Sequence, residues 1–256
     1  MMQEKDRALV ARIAAGETLM GPDEVTPGYR GELLRLMVGL VDSQLAGAAG
    51  LAGQINAAPT ISDRQLAARM VSEKFAHAGT VLDLLVPFGV DPDLYMVEHA
   101  WDARIDRSAD LGFRRIGGDK RLNVFHYPLQ GWLDSLVFVL LMGGASVIQL
   151  IDQVASSYKP FANALASIVA REARHARQSE RALELVIERS GNRTRPQAAV
   201  AYWWPRVVAS FGHAGSERME LYVAYGLRRR DNGDLLQQWH EETAKRLTAL
   251  GLEPGA

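Results

Sequence analysis

The sequence of 256 residues contains no cysteine. This absence excludes disulfide bonds, thiolate zinc sites, iron–sulfur clusters and a cysteine nucleophile. Any metal ion bound by the chain would therefore need ligands from Asp, Glu and His side chains.

The sequence also lacks the motifs and charge patterns of several functional classes. It has no glycine-rich dinucleotide fingerprint, no P-loop and no Ser, His and Asp order typical of hydrolases. The net charge of −1 gives no electrostatic reason to expect nucleic acid or an anionic membrane as a partner. Residues 1–15 do not resemble a secretory segment, and the longest apolar run, Leu136 to Leu150, is shorter than the roughly 20 residues that cross a bilayer. We therefore expect a cytoplasmic protein.

Apolar residues recur at helical spacing along most of the chain, whereas strand patterns are nearly absent. This periodicity predicts an all-α fold. The long helices are expected over about 27–56, 62–88, 128–156 and 158–190, with an irregular connection between the second and third. We predict one domain over residues 1–256, divided into an N-terminal extension (1–25), a four-helix core (27–190) and additional C-terminal helices (194–256).

The fourth predicted helix carries Glu172 and His175 on one face, three residues apart. Leu165, Ile168 and Leu183 fall on the same side, so the pair is expected to point inward. Four-helix bundles use this Glu-x-x-His spacing to hold di-iron or di-manganese pairs. The spacing alone therefore suggests half of a metal site.

The other helices place polar residues on their apolar faces as well. Gln44 lies in the middle of the inner face of the first long helix, and Lys74 lies at the centre of the apolar stripe of the second, one turn before His77. A buried ammonium group is unusual. Glu73 is about 100° away on the helical wheel and is predicted to face solvent.

Several segments occur in an order that resembles a known family. They are Pro27-Gly28-Tyr29-Arg30, Phe125-His126-Tyr127-Pro128 with Trp132, Ser156 to Ala162, Arg171 to His175, and Trp203-Trp204-Pro205. The chain resembles the catalytic subunit of the bacterial phenylacetyl-CoA mono-oxygenase, the ring-1,2-epoxidase, over nearly its whole length. The resemblance implies a ferritin-like four-helix bundle with a di-iron centre and a multicomponent enzyme acting on CoA thioesters.

The resemblance also implies six metal-ligand positions, and three of them are changed here. Glu172, His175 and His77 are retained, whereas the expected carboxylates are replaced by Gln44, Lys74 and Gly143. Two divalent ions carry about four positive charges, which four carboxylates offset in such a site. We expect the six positions to form a vestigial site in which the Lys74 ammonium pairs with Glu172, without a cofactor.

We therefore predict a non-catalytic, structural or regulatory subunit of a CoA-ester mono-oxygenase, in effect a pseudoenzyme. It would pair with itself or with a metal-bearing paralogue. An acyl-CoA is a candidate ligand. The alternative is an O₂-dependent oxygenase that binds iron through His77, Glu172 and His175, the 2-His-1-carboxylate composition of non-heme iron enzymes. A third interpretation is a binding module that uses a cavity beside Gly143 and Gly144.

Two further patterns have structural and functional interpretations. Trp203-Trp204 would stack an aromatic substrate, but a tryptophan pair on a helix is more often part of the core. Arg171, Arg174 and Arg177 and the run 228–230 would bind phosphates, but such runs are more often solvated faces.

Overall fold

The computed structural model describes residues 3–255, so residues 1–2 of the predicted extension and residue 256 lie outside it. Within that range the chain is all-α, as predicted, and forms no β-strand. The α-helices are α1 (Glu4–Ala14), α2 (Pro27–Ala52), α3 (Ile61–Asp83), α4 (Pro92–Val97), α5 (Gly131–Gln153), α6 (Lys159–Ser190), α7 (Thr194–Val208), α8 (Glu217–Ala224) and α9 (Asn232–Ala249).

The four long helices α2, α3, α5 and α6 form the ferritin-like bundle that the sequence predicts. The helix α2 packs along α3, and α5 packs along α6, so the bundle consists of two helical hairpins that meet through α3 and α6. The helix α3 begins at Ile61, one residue before the predicted start. Thr60 is its N-cap, and the Thr60 hydroxyl accepts a hydrogen bond from the backbone N–H of Asp63.

The irregular connection between α3 and α5 is tied to the bundle by polar contacts from α2. The buried carboxylate of Asp42 accepts hydrogen bonds from the hydroxyl of Tyr95 and the backbone N–H of Lys120. The hydroxyl of Ser43 accepts a third, from the backbone N–H of Leu122. These bonds satisfy backbone donors of a segment that has little regular structure of its own.

The helix α5 is the most apolar element and lies in the interior. Among residues 3–255 it is the single helix with the length and composition to cross a membrane, and 72% of its most apolar stretch is buried in the protein. The C-terminal helices cover it: α7 and α9 pack against α5 and bring Trp203 and Trp239 into full burial. The prediction that Trp203 belongs to the core is confirmed.

Two clusters of buried apolar residues lie at different heights in the bundle. One cluster includes Met70 of α3 and Leu183 of α6, whereas the other includes Ala78 of α3 and Ile168 of α6. Lys74 and His77 lie between these two positions on α3, and Glu172 and His175 lie between them on α6. The candidate site is therefore a polar layer between two apolar layers.

Candidate functional site

The bundle brings five of the six candidate residues into one buried cluster. Lys74 and His77 are one turn apart on α3, Glu172 and His175 are one turn apart on α6, and Gln44 reaches the cluster from α2. Each of these five residues is at most 7% exposed. The i, i+3 spacing places both members of each pair on the inner side of their helix.

Lys74 and Glu172 form the centre of the cluster. The ammonium nitrogen of Lys74 lies 2.9 Å from Oε1 and 3.1 Å from Oε2 of Glu172, so both carboxylate oxygens accept hydrogen bonds from it. This is a charge-assisted, doubly bonded contact between α3 and α6. A buried carboxylate needs such a partner, because an isolated charge in the interior is strongly unfavourable.

Gln44 and His77 complete the hydrogen bonding around Glu172. The amide nitrogen of Gln44 donates to Glu172 Oε1 at 3.1 Å, while its amide oxygen lies 3.4 Å from the Lys74 ammonium. The ring Nδ1 of His77 lies 3.2 Å from Glu172 Oε1 and donates to it. Gln44 therefore contacts both the Glu172 carboxylate and the Lys74 ammonium. A carboxylate at this position could not hydrogen-bond to Glu172, because it has no donor.

The surroundings keep Glu172 ionised. Burial alone would raise the pKa of this carboxyl group, but the charge of Lys74 and the hydrogen bond from His77 outweigh it and hold the pKa well below its usual range. Glu172 is therefore a carboxylate in this cluster rather than a neutral carboxyl group.

His175 hydrogen-bonds to a carboxylate outside the six candidate positions. Its Nε2 lies 2.5 Å from Oε2 of Glu73, whereas its Nδ1 is 4.0 Å from the nearest Glu172 oxygen, beyond hydrogen-bonding distance. Glu73 also accepts a hydrogen bond of 2.6 Å from Arg174. The prediction that Glu73 faces solvent is therefore wrong: its side chain is only 18% exposed and connects α3 to α6.

The charges around His175 oppose one another. Burial lowers the pKa of its imidazole, and the nearby Lys74 ammonium acts in the same direction, while Glu172 and Glu73 act against them. The net shift is downward, so the ring is neutral at pH 7 and donates from Nε2 to Glu73. Its Nδ1 and the Nε2 of His77 have no hydrogen-bond partner among residues 3–255.

The aliphatic part of Lys74 depends on a glycine that the sequence interpretation did not identify. A Cβ atom added at Gly47 of α2 would lie 3.4 Å from Cδ of Lys74 and 3.2 Å from the ring of Phe125. The lysine stem therefore passes close to the α2 backbone. Gly47 is three residues after Gln44, on the same face of α2, and this spacing is the signal that points to it.

Gly143, the sixth candidate position, packs against α6. A Cβ at Gly143 would lie 3.3 Å from Cβ of Ala176, and one at Gly144 would lie 3.7 Å from the indole nitrogen of Trp239. Neighbouring side chains therefore contact both glycine positions, and these contacts give no support to the cavity of the third interpretation. The small residues allow α5 to approach α6 and α9 closely.

The side chains of this cluster do not fit a pair of divalent metal ions. Both oxygens of Glu172 are bonded to an ammonium group, and the nearby carboxylate of Glu73 is held by Arg174 and His175. A charged ammonium has donors only and cannot ligate a metal ion. A metal ion at Glu172 would have to displace Lys74 and share the space with its positive charge.

The arginines singled out in the sequence have individual roles. Arg174 pairs with Glu73, while Arg171 and Arg177 are exposed. Arg228 is not on a solvated face: it is 7% exposed, and its Nε donates to Asp152 of α5 at 3.1 Å. The run 228–230 is therefore partly structural.

The chain is similar to a protein family and to a subunit of a characterised enzyme. The model of the phenylacetic acid catabolic protein family matches residues 18–255. One of the subunits of 1,2-phenylacetyl-CoA epoxidase from Escherichia coli (strain K12) is 25% identical over 244 residues, which cover 93% of this chain and 74% of that protein.

Proposed function

This chain belongs to the phenylacetic acid catabolic protein family, and from that premise we propose that it is a metal-free, non-catalytic subunit of a multicomponent mono-oxygenase. The observation that carries the proposal is the Lys74 ammonium bound by both oxygens of Glu172 at the centre of the bundle. The complex would act on CoA thioesters, as the name of the epoxidase suggests for that relative.

The charge balance of the cluster supports this role. Two divalent ions bring about four positive charges, and bundle sites of this type offset them with four carboxylates. Here the inner cluster contains a single carboxylate, Glu172, together with a cation of its own. An ammonium group needs one carboxylate for neutrality, and Glu172 supplies it.

The contacts of Lys74 also support a structural role for the cluster. A metal pair in such a bundle links helices that would otherwise present buried polar side chains to one another. Lys74 of α3 now links to Glu172 of α6, and Gln44 adds α2 to the same network. The bundle therefore keeps a polar cross-link between its two hairpins without requiring a cofactor.

A bundle of this kind would serve as the partner of a metal-bearing relative, or of a second copy of itself. The relative in Escherichia coli is named as one subunit of its epoxidase, which fits an enzyme composed of several chains. In this assembly the chain would supply helical surface rather than chemistry. The isolated chain would then have no oxygenase activity.

Oxygen consumption by the purified chain tests the proposal. With phenylacetyl-CoA, a reductant and an electron-transfer protein, we expect no substrate-dependent consumption of O₂ above a protein-free control. The variants Glu172→Ala and His175→Ala should give the same result as the parent. Substrate-dependent consumption in the parent that is lost in either variant would overturn the proposal and favour an oxygenase with an altered metal site.

Co-purification tests the partnership separately. When the chain is produced together with an intact metal-bearing paralogue, a stable complex with more than one type of chain is expected in size-exclusion chromatography. Activity should then depend on the paralogue's ligands and not on Glu172 of this chain. Independent elution of the two proteins would contradict a role as a partner in the complex.

A further inference from the structure

A cleft of about 600 Å³ opens where the connection before α5 meets α7, α9 and the C-terminal segment. Its walls include Phe113 of the connection, Trp204 of α7, His240 of α9 and Gly255 of the C-terminal segment. None of the six candidate positions, all of which the structure describes, lines it. Small-molecule sites typically have volumes of about 300–1,000 Å³. The cleft is therefore separate from the Lys74 cluster and large enough for a ligand of its own.

Aromatic rings form much of the lining. The indole of Trp204 and the imidazole of His240 are stacked, with ring centroids 5.3 Å apart and an interplanar angle of 29°. The ring of Trp204 also packs on that of Trp239 at 4.5 Å, which fixes it in the core. Phe113 is an exposed wall, 46% accessible to solvent. Walls of this kind suit an aromatic ligand, since offset and edge contacts between rings are favourable.

The C-terminal segment is held in place as a further wall of the cleft. The side-chain amide of Gln197 on α7 donates to the carbonyl oxygen of Glu253 at 3.0 Å and accepts from its backbone N–H at 2.9 Å. A Cβ atom added at Gly255 would overlap the indole of Trp204, so the backbone of the segment runs directly against that ring. The shape of the cleft is therefore set before any ligand binds.

One polar atom of a lining residue has no partner. Nε2 of His240 is buried and makes no hydrogen bond with residues 3–255. Burial lowers the pKa of this imidazole, so the ring is neutral at pH 7, with one nitrogen as donor and the other as acceptor. Buried polar atoms are normally hydrogen-bonded, so Nε2 retains the capacity for a partner. A hydroxyl group suits Nε2 in either tautomer, because it can donate or accept, whereas a carboxylate only accepts.

The charge of the lining disfavours an anionic ligand. Asp110 is an exposed acid on the wall, and no lysine or arginine of residues 3–255 lines the cleft. The carboxylate of Asp110 is positioned by a hydrogen bond of 3.0 Å from the backbone N–H of Gly112. A ligand carboxylate or phosphate would meet this like charge without a compensating cation. The phosphates of a CoA thioester would find no partner here, so the ligand belongs to another class.

We propose that this cleft binds a small, uncharged aromatic molecule that carries a hydroxyl group, such as an aryl alcohol or a phenol. Its ring packs against Phe113 and the stacked pair of Trp204 and His240, and its hydroxyl bonds to Nε2 of His240. The site is independent of the proposed function, since it binds its ligand whether or not the bundle holds a metal ion.

Chemical-shift titration of the whole chain tests the site, with benzyl alcohol, cyclohexylmethanol and benzoate as probes. The indole N–H signals of the five tryptophans report where a probe binds, and Trp204→Phe identifies the signal of Trp204. Benzyl alcohol should shift this signal and saturate at one site per chain. Cyclohexylmethanol lacks an aromatic ring and benzoate is anionic, so each should bind at least about threefold more weakly.

His240→Phe keeps a ring beside Trp204 and removes the nitrogen. Its affinity for benzyl alcohol should fall about three- to tenfold, the range for one uncharged hydrogen bond. The matched control His99→Phe removes an imidazole that lies 5.3 Å from the ring of Trp101, outside the cleft, and should bind like the parent. Asp110→Asn should bind benzoate several-fold more tightly than the parent does, because the repelling charge is gone.

Three results would each overturn the proposal. They are an unshifted Trp204 signal, equal or tighter binding of cyclohexylmethanol or benzoate in the parent, and unchanged affinity for benzyl alcohol in His240→Phe. Melting temperatures verify that each variant is folded. Asp110 is exposed, so Asp110→Asn keeps the test available if His240→Phe is unstable, and unchanged benzoate binding in Asp110→Asn would then count against the site.

Discussion

The ammonium nitrogen of Lys74 lies 2.9 Å and 3.1 Å from the two carboxylate oxygens of Glu172, in a layer between two apolar clusters. This contact joins α3 and α6, which belong to different hairpins of the bundle. Since both side chains are almost completely buried, neither charge can be removed alone without leaving the other unpaired. The contact is therefore the feature of the site that mutation should perturb most.

Lys74→Met should destabilise the protein by about 3–5 kcal/mol, because Glu172 then remains buried without its cation. The free energy of unfolding in urea measures the effect. Lys245→Met, which removes an exposed lysine of α9, is the matched control and should change stability little. The double variant Lys74→Met/Glu172→Met should recover most of the loss. If the double variant is as unstable as the sum of both single variants, the two residues do not act as a pair.

Glu73→Gln tests the unexpected contact with His175. The change removes the charged acceptor of both His175 and Arg174, so we expect a loss of about 1–3 kcal/mol in unfolding free energy. Glu184→Gln provides the control, since Glu184 forms an exposed pair with Arg181 on the same helix α6. Equal effects of the two substitutions would show that Glu73 behaves as an ordinary surface carboxylate.

Gly47→Ala tests the close passage of the Lys74 stem along α2. Alanine normally stabilises a helix relative to glycine by about 0.5–1 kcal/mol. Here the new methyl group would press on Phe125 and Lys74, and overpacking of this kind costs about 1–3 kcal/mol, so net destabilisation is expected. Gly79→Ala on α3 meets no atom within 4 Å and should be stabilising. Stabilisation by both changes would mean that Lys74 does not need the glycine.

Alkaline pH should weaken the fold partly through Tyr222. Burial, together with the charge of Glu32, raises the pKa of its hydroxyl to about 12, whereas a tyrosine in the unfolded chain has a pKa of about 10. A raised pKa stabilises the fold fully below about pH 10, and this contribution is lost as the pH rises through about 12. Urea unfolding between these values should therefore show a smaller pH-dependent loss in Tyr222→Phe than in the parent. Identical pH profiles would contradict the assignment.

Apolar periodicity was sufficient to locate the four long helices and to place Lys74, Glu172 and His175 on inner helix faces. These inferences work because one helix face determines what is buried. The resemblance to a di-iron family was needed to indicate that Lys74 and Glu172 would meet, because it aligned residues that lie on different helices.

The sequence was not sufficient for contacts that depend on how far two helices are apart. Glu73 lies on the flank of α3, and whether it reaches solvent or His175 depends on the position of α6 rather than on its own periodicity. The space beside Gly143 likewise depends on the approach of Ala176. Both features depend on the distance between packed helices, which the periodicity of residues along one helix does not determine.

Metal analysis of the purified chain is the most direct test of the claim that Lys74 takes the place of a metal centre. After production in medium supplemented with iron and manganese, mass spectrometry should find less than about 0.1 of either metal per chain, since the site retains a single inner carboxylate and a cation. Glu172→Gln should leave this value unchanged. One or two equivalents of metal in the parent, lost in Glu172→Gln, would contradict the account.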